Sequence, residues 1–291
     1  MSRPRWSVEG RDWPNRAHSR FVDAGRMRFH VQIMGEGPVL LLLHGTGAAT
    51  HSWRALAPML AENVTVIAPD LPGHGFTTGR PVGGLAMPAM ARAIGELLHT
   101  LDMRPDAIAG HSAGAAIAIR MALDGIADPS AIVGLSGALL PFPGLGAALF
   151  PTLARLLFVN PFAPHIFARM ARVPRETGRF LVRSTGSHID AEGVRCYERL
   201  LATSDHCAGA IGMMADWDLE TLKRDLPRLR KPLLLVHGEE DAAIPIATAR
   251  SAAGMVEGAR LLALSRLGHL AHEEQPEEVA AIIRNFVEAS L

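Results

Sequence analysis

Apolar residues in this chain gather in short unbroken runs, separated by stretches with helical spacing. The runs at 39–43, 64–68, 107–109, 131–135, 232–236 and 260–264 are each closed by glycine, proline or a polar cluster. Runs of that length without polar alternation predict strands covered on both faces. Residues 19–33 instead alternate as two strands around Asp23-Ala24-Gly25, the signal of a hairpin. Between the runs, the spacing predicts helices over 52–61, 87–101, 113–123, 248–253 and 277–289. Strand and helix in alternation give an α/β fold, here a mostly parallel eight-stranded sheet with helices on both faces.

The alternation stops between 137 and 225, a stretch rich in Leu, Phe, Pro, Met and Arg with no convincing strand. About ninety residues are far too many for a loop. A helical cap is expected there, over the strand ends where open α/β sheets bind ligands. The core then comprises residues 20–136 and 226–291, and residues 1–19 form an extended N-terminal arm whose Trp6 and Trp13 pack on its surface. Residues 131–154 carry no charge over a length able to span a bilayer. Repeated glycines and prolines interrupt them, and broken backbone is not tolerated against lipid, so no transmembrane helix is expected.

Composition then narrows the partners. The 29 basic and 29 acidic residues cancel to a formal charge of zero, which leaves no basic field for nucleic acid. Cys196 and Cys207 have neither metal-ligand spacing nor the density of a secreted disulfide framework, and are read as cap packing. The stretch Met1-Ser2-Arg3-Pro4-Arg5-Trp6 holds no apolar run, so no secretory signal is read and a cytoplasmic protein is expected.

The chemistry concentrates at Gly110-His111-Ser112-Ala113-Gly114, between a strand run and a small-residue helix. A serine on a sharp strand-to-helix turn projects its hydroxyl clear of the backbone, and the helix N-terminus behind it offers N–H groups to an oxyanion. Ser112 is the candidate nucleophile. It needs a base, and the base needs an acid that fixes its tautomer. Asp241 follows the 232–236 strand and is preferred to Glu239 and Glu240, a cap for the next helix being its structural alternative. His269 follows the 260–264 strand and is preferred as base to His272, which stands at a helix start. The expected oxyanion donors are the backbone N–H of Ala113 and that of Thr46, in His44-Gly45-Thr46-Gly47. His44, His74, His111 and His237 adjoin turns without i, i+4 pairing; they are read as turn or pocket residues, and neither a metal nor a cofactor is expected.

These segments, with Asp70-Leu71-Pro72-Gly73-His74-Gly75, together resemble the α/β-hydrolase superfamily over residues 20–136 and 230–290. The order Ser, Asp, His along the chain is the one that superfamily uses. The resemblance implies an α/β-hydrolase fold with a cap insertion, but no single reaction. Further segments, at 10–16, 44–53, 110–118, 137–142, 185–187, 190–193 and 213–219, are similar to the magnesium-chelatase accessory proteins of bacteriochlorophyll biosynthesis. That similarity implies a place in photosynthesis beside magnesium insertion into protoporphyrin, and association with magnesium chelatase. It does not fix the chemical step.

Two functions stay open. One is a serine hydrolase acting on an ester or related acyl bond of an apolar substrate, either a tetrapyrrole or one unrelated to tetrapyrroles. The other is a non-catalytic tetrapyrrole-binding accessory protein. Cap residues Phe142, Phe150, Leu153, Leu156, Leu157, Phe158, Phe162, Ile166, Phe167 and Met170 suit a large flat ligand, or simply pack the cap on the core. Arg155, Arg169, Arg172 and Arg175 suit propionates or a peripheral membrane contact. Haloalkane dehalogenase chemistry is disfavoured, since Ser112 stands where an aspartate nucleophile is needed.

Overall fold

The computed structural model describes residues 2–141, 160 and 162–291. β1 (Ser19–Ala24) and β2 (Met27–Met34) form the antiparallel hairpin. β3 (Val39–Leu43), β4 (Thr65–Pro69), β6 (Ala107–His111), β7 (Ala131–Leu135), β8 (Leu233–Gly238) and β9 (Arg260–Leu264) are parallel, in the spatial order β4-β3-β6-β7-β8-β9. β2 joins this block by pairing antiparallel with β4. The two-residue β5 (Thr78–Gly79) also pairs with β2, so among the described residues the sheet has nine strands where eight were expected. A strand of two residues leaves no periodicity to read; its place is set by pairing with Met27 and Arg28.

Around the sheet run α1 (Leu56–Leu60), α2 (Met87–Thr100) and α3 (Ala113–Leu123). Between β7 and β8 the described helices are α4 (Ala163–Met170), α5 (Glu176–Thr185), α6 (Ala191–Leu201), α7 (Ser204–Ala215) and α8 (Leu219–Asp225). α9 (Ile246–Ala253), α10 (Ala271–Glu274) and α11 (Pro276–Glu288) complete the chain. Among the described residues, no helix is long and apolar enough to cross a membrane. The cap residues Phe142, Phe150, Leu153, Arg155, Leu156, Leu157 and Phe158 lie outside the described residues.

The unbroken apolar runs make sense because each strand serves two cores. In β3, Leu41 and Leu43 pack with α2 and α3, while Leu40 and Leu42 pack with α1 and α11. All four are buried. The same split recurs in β7, where Ile132 faces the first cluster and Val133 the second. The helix expected over 52–61 divides into a 3₁₀ turn (Thr50–Trp53) and α1. Pro58 is the reason: it lacks the N–H that a helix begun at residue 52 would need, and is tolerated only in a first turn.

Residues 6–18 do not run extended. They fold through successive turns and a 3₁₀ turn at Arg16–His18. Trp13 is 2% exposed, its indole N–H donates to Thr50 Oγ1 at 2.9 Å, and its ring meets Phe76 edge-on. Trp6 packs edge-on against Phe21 and Phe76. Large rings bury more area in a folded-back segment than in an extended one. The start of the chain also reaches the inserted helices: Ser2 N–H donates to Ser204 Oγ (2.9 Å), and Arg199 grips Asp12 with two bonds of 2.6 and 2.7 Å. Replacing Trp13 by Ala is expected to lower stability by about 3–5 kcal/mol in guanidinium unfolding, and a loss below about 1 kcal/mol would place the arm outside the core.

Candidate active site

β6 ends at His111 and α3 begins at Ala113, so Ser112 alone makes the turn between them. Its φ of 52° and ψ of −114° are a conformation that a residue with a side chain holds only under constraint. Hydrogen bonds supply the constraint. Ser112 N–H donates to the Leu135 carbonyl (2.9 Å), and the Ser112 carbonyl accepts from Ala115 and Ala138 (3.2 and 3.1 Å).

The loop after β3 lies against this turn. A methyl group on Gly45 would stand 2.8 Å from His111 Nδ1 and 3.0 Å from Ser112 Cβ, so only glycine fits. The contact holds the loop that carries Thr46 against the serine turn. Neither the Thr46 N–H nor the Ala113 N–H is taken by a hydrogen bond among the described residues. Ala113 is the first residue of α3, where the helix leaves its N–H groups unpaired and slightly positive. His44 braces the loop by donating from Nδ1 to the Gly45 carbonyl (2.8 Å) and accepting the Leu71 N–H at Nε2 (2.9 Å). The Thr46 hydroxyl donates to the sulfur of Met213 on α7 (3.3 Å).

Asp241 and His269 stand in the turns after β8 and β9. Asp241 Oδ2 accepts from His269 Nδ1 at 2.8 Å and lies 3.2 Å from His237 Nε2. Asp241 Oδ1 accepts the N–H groups of Ala243 and Ile244, both at 2.8 Å. One carboxylate thus serves both the turn and the imidazole, with an oxygen for each. The residue capping α9 is Pro245. Burial opposes charge on Asp241, but hydrogen bonds from His237 and His269 and the Ile244 N–H hold its carboxyl well below the usual carboxylate range.

The bond at Nδ1 leaves His269 Nε2 as the acceptor of a neutral ring. The His269 carbonyl accepts from Nε2 of His111, the residue before the serine, with the two rings 4.7 Å apart. The structure therefore joins Asp241 to His269 and seats His269 beside the Ser112 turn. Among the described residues, Ser112 Oγ and His269 Nε2 share no hydrogen bond within 3.5 Å. Such contacts are commonly long without substrate and tighten in the complex. His272 faces elsewhere, meeting Ser52 Oγ at 2.7 Å, and burial pushes it down to about 3.

Three contributors went unread in the sequence. The carbonyl of Thr185, at the end of α5, accepts the N–H of His269 (2.8 Å) and that of Ala242 (3.3 Å). Ser187 Oγ accepts the Leu270 N–H (2.8 Å). Gly186 between them has φ 71°, and a methyl there would lie 2.2 Å from the Glu240 carbonyl. The sequence marks segment 185–187 only by resemblance, and Gly186 is its one physical sign of these main-chain contacts. The third is the pair Asp70 and His30, joined at 2.8 Å, with His30 Nε2 3.0 Å from Ser19 Oγ. It has the hydrogen bonds of a catalytic relay but not its setting. Ser19 is extended (φ −77°, ψ 136°) on an edge strand with no helix N-terminus behind it. Asp70 also accepts the N–H of Thr50 (2.7 Å) and Phe76 (2.8 Å), which makes it a brace for two loops.

Among the described residues, no group of three or more His, Cys, Asp or Glu could hold a metal ion. Cys196 and Cys207 are free and buried, and burial pushes both thiols up to about 12.

Residues 40–282 match a family model described as the Alpha/beta hydrolase family. The chain belongs to the alpha/beta hydrolase family. This alpha/beta hydrolase is 37% identical to the Magnesium-chelatase 30 kDa subunit of Rhodobacter capsulatus, over 95% of its own length and 97% of that protein's. It is 29% identical to the pimeloyl-[acyl-carrier protein] methyl ester esterase of Aromatoleum aromaticum, over 86% and 98% of the two chains. The esterase EaEST from Exiguobacterium antarcticum superposes with a TM-score of 0.75 at 20% identity, over 92% of this chain and 98% of that one. At that identity the likeness concerns the fold alone.

Burial lowers the pKa of six histidines of this alpha/beta hydrolase and so favours their neutral form: His44, His51, His74, His111, His206 and His272. His206 is lowered to about 4. Unfolding returns each to an ordinary value of about 6.5, so below that pH the unfolded chain binds more protons and stability falls as the pH is lowered. Asp70 and Asp241, depressed in the folded chain, withdraw their own contribution only below about pH 4. Unfolding free energies between pH 7 and 5 are expected to show uptake of more than about two protons near pH 5. A slope corresponding to less than about one proton would mean that these rings are charged in the folded state.

Proposed function

We propose that the chain is a serine hydrolase that cleaves an ester or related acyl bond of an apolar substrate. Ser112 is the nucleophile, His269 the general base and Asp241 the acid that orients it. The observation that carries this reading is the 2.8 Å bond from His269 Nδ1 to Asp241 Oδ2, formed beside a strained strand-to-helix serine. His269 Nε2 takes the Ser112 proton as Oγ attacks the acyl carbon, and the oxyanion that forms accepts from the N–H groups of Thr46 and Ala113. Each such donor stabilises the transition state by about 3 kcal/mol. His269 then returns the proton to the departing alcohol, and water releases the acyl group by the same steps. The methyl ester esterase among the relatives supports the hydrolytic reading.

The 37% identity to the Magnesium-chelatase 30 kDa subunit supports a setting beside magnesium insertion into protoporphyrin, in bacteriochlorophyll biosynthesis. In that setting the apolar substrate is a tetrapyrrole or a molecule handled with it, and magnesium chelatase is the partner. The same similarity favours a second reading, in which the fold binds a tetrapyrrole without turning it over.

A fluorophosphonate probe is expected to label the wild-type chain at Ser112. Ser112→Ala and His269→Ala abolish the labelling, and Asp241→Asn slows it by roughly 10⁴ through the wrong tautomer. Well-folded wild-type protein that stays unlabelled would overturn the hydrolase. For the second reading, protoporphyrin and its magnesium form are titrated and absorbance is followed; the lack of a saturable shift counts against tetrapyrrole binding.

A further inference from the structure

α4 and α5 carry exposed apolar side chains that the core does not use. On α4, Ala163, Pro164 and Ala168 are buried, and the helix packs against α7. Ile166 and Met170, one turn apart on α4, are 53% and 49% exposed, with Phe162 at its N-cap (70%) and Val173 three residues past its end (53%). Phe180 on α5 is exposed as well. Of eleven large hydrophobic residues exposed among the described residues, seven fall between 162 and 182. Scattered exposed hydrophobics are ordinary, whereas a gathered set marks a contact surface.

The charge of this segment is strongly positive. Residues 162–185 hold five arginines (Arg169, Arg172, Arg175, Arg179, Arg183) against Glu176 alone, in a chain that balances 29 against 29. Arg179 and Arg183 share that glutamate, at 3.8 and 2.8 Å, and line a shallow groove with Gly178 and Val182. Arg169 and Arg175 have no acidic partner among the described residues.

We propose that this face docks on an anionic phospholipid bilayer. Phe162, Ile166, Met170 and Phe180 enter the boundary between headgroups and acyl chains, while the guanidinium groups extend along them to the phosphates. An apolar stripe alone would equally suit a second copy of the chain. The arginine excess decides between them, because a two-fold contact would set five arginines and one glutamate against the same set. An anionic surface meets them with the opposite sign. The inference holds whether or not Ser112 turns a substrate over.

Co-sedimentation of the full chain with vesicles tests it, using phosphatidylcholine alone and phosphatidylcholine mixed equally with phosphatidylglycerol. Binding is expected to be on the order of tenfold stronger to the mixed vesicles and to fall steeply as salt is raised. Ile166→Ser with Met170→Ser, and separately Arg169→Glu with Arg175→Glu, are each expected to weaken it by about tenfold, while Arg169→Lys with Arg175→Lys retains most of it. Thermal melts check that every variant folds; the arginine pair, on exposed side chains, carries the test if the apolar pair melts early. Equal binding to both vesicles, or wild-type binding by both double variants, would overturn the proposal. So would concentration-dependent dimerisation without vesicles that Ile166→Ser with Met170→Ser abolishes, since the face would then belong to a second copy.

Discussion

The carbonyl oxygen of Thr185 receives the N–H of His269 and that of Ala242, and so ties together two loops that leave different strands. Without it, two main-chain donors in a closed part of the molecule would lack partners, each at a cost of about 1–3 kcal/mol. Its position at the end of α5 gives the inserted helices a part in aiming the imidazole. Glu240 N–H reaching the Leu267 carbonyl at 2.9 Å adds a second stitch between the same loops. The candidate site is therefore assembled by main chain from three segments, and side chains complete it.

Buried histidine is the recurring side chain of that assembly. A neutral imidazole has one donor and one acceptor, so it can join two loops without bringing a charge inside. His44 spans the loops after β3 and β4 in this way, and His206 does the same between Gly75 and Gly47, at 3.1 and 3.0 Å. Charge enters the interior elsewhere and is closely paired. Arg54 meets Glu273, and also Asp190 at 3.0 Å, while Tyr197 and Ser52 donate to the same glutamate at 2.9 and 3.0 Å. That network locks α6 and α10 to the 3₁₀ turn before α1.

The parts legible in the sequence are those in which local pattern and tertiary role coincide. Strands covered on both faces must be apolar throughout, so β3, β7 and β8 announce themselves, and so do the turns that follow them. Ser112 could be placed because a strand, one residue and a helix leave no other position for the turn. Asp241 and His269 could be assigned to loops at one sheet edge, but the sequence does not contain their 2.8 Å contact. The Thr185 bonds, the His30–Asp70 pair and the two-residue β5 are set by partners distant along the chain. The folded-back arm is a similar case, for Trp13 shows its role only once Thr50 and Phe76 stand around it.

That arm also bears on how the chain comes together. Ser2 and Ser204 are 202 positions apart, and Arg3 pairs with Asp205 across the same span. At ribosomal rates of about 5–20 residues per second, the first residues emerge roughly 10–40 s before those partners exist. The β1–β2 hairpin and the strands beside it can form within that interval, because their partners are close in sequence. The first residues can close only once α7 exists, as a latch set after the hairpin beside it.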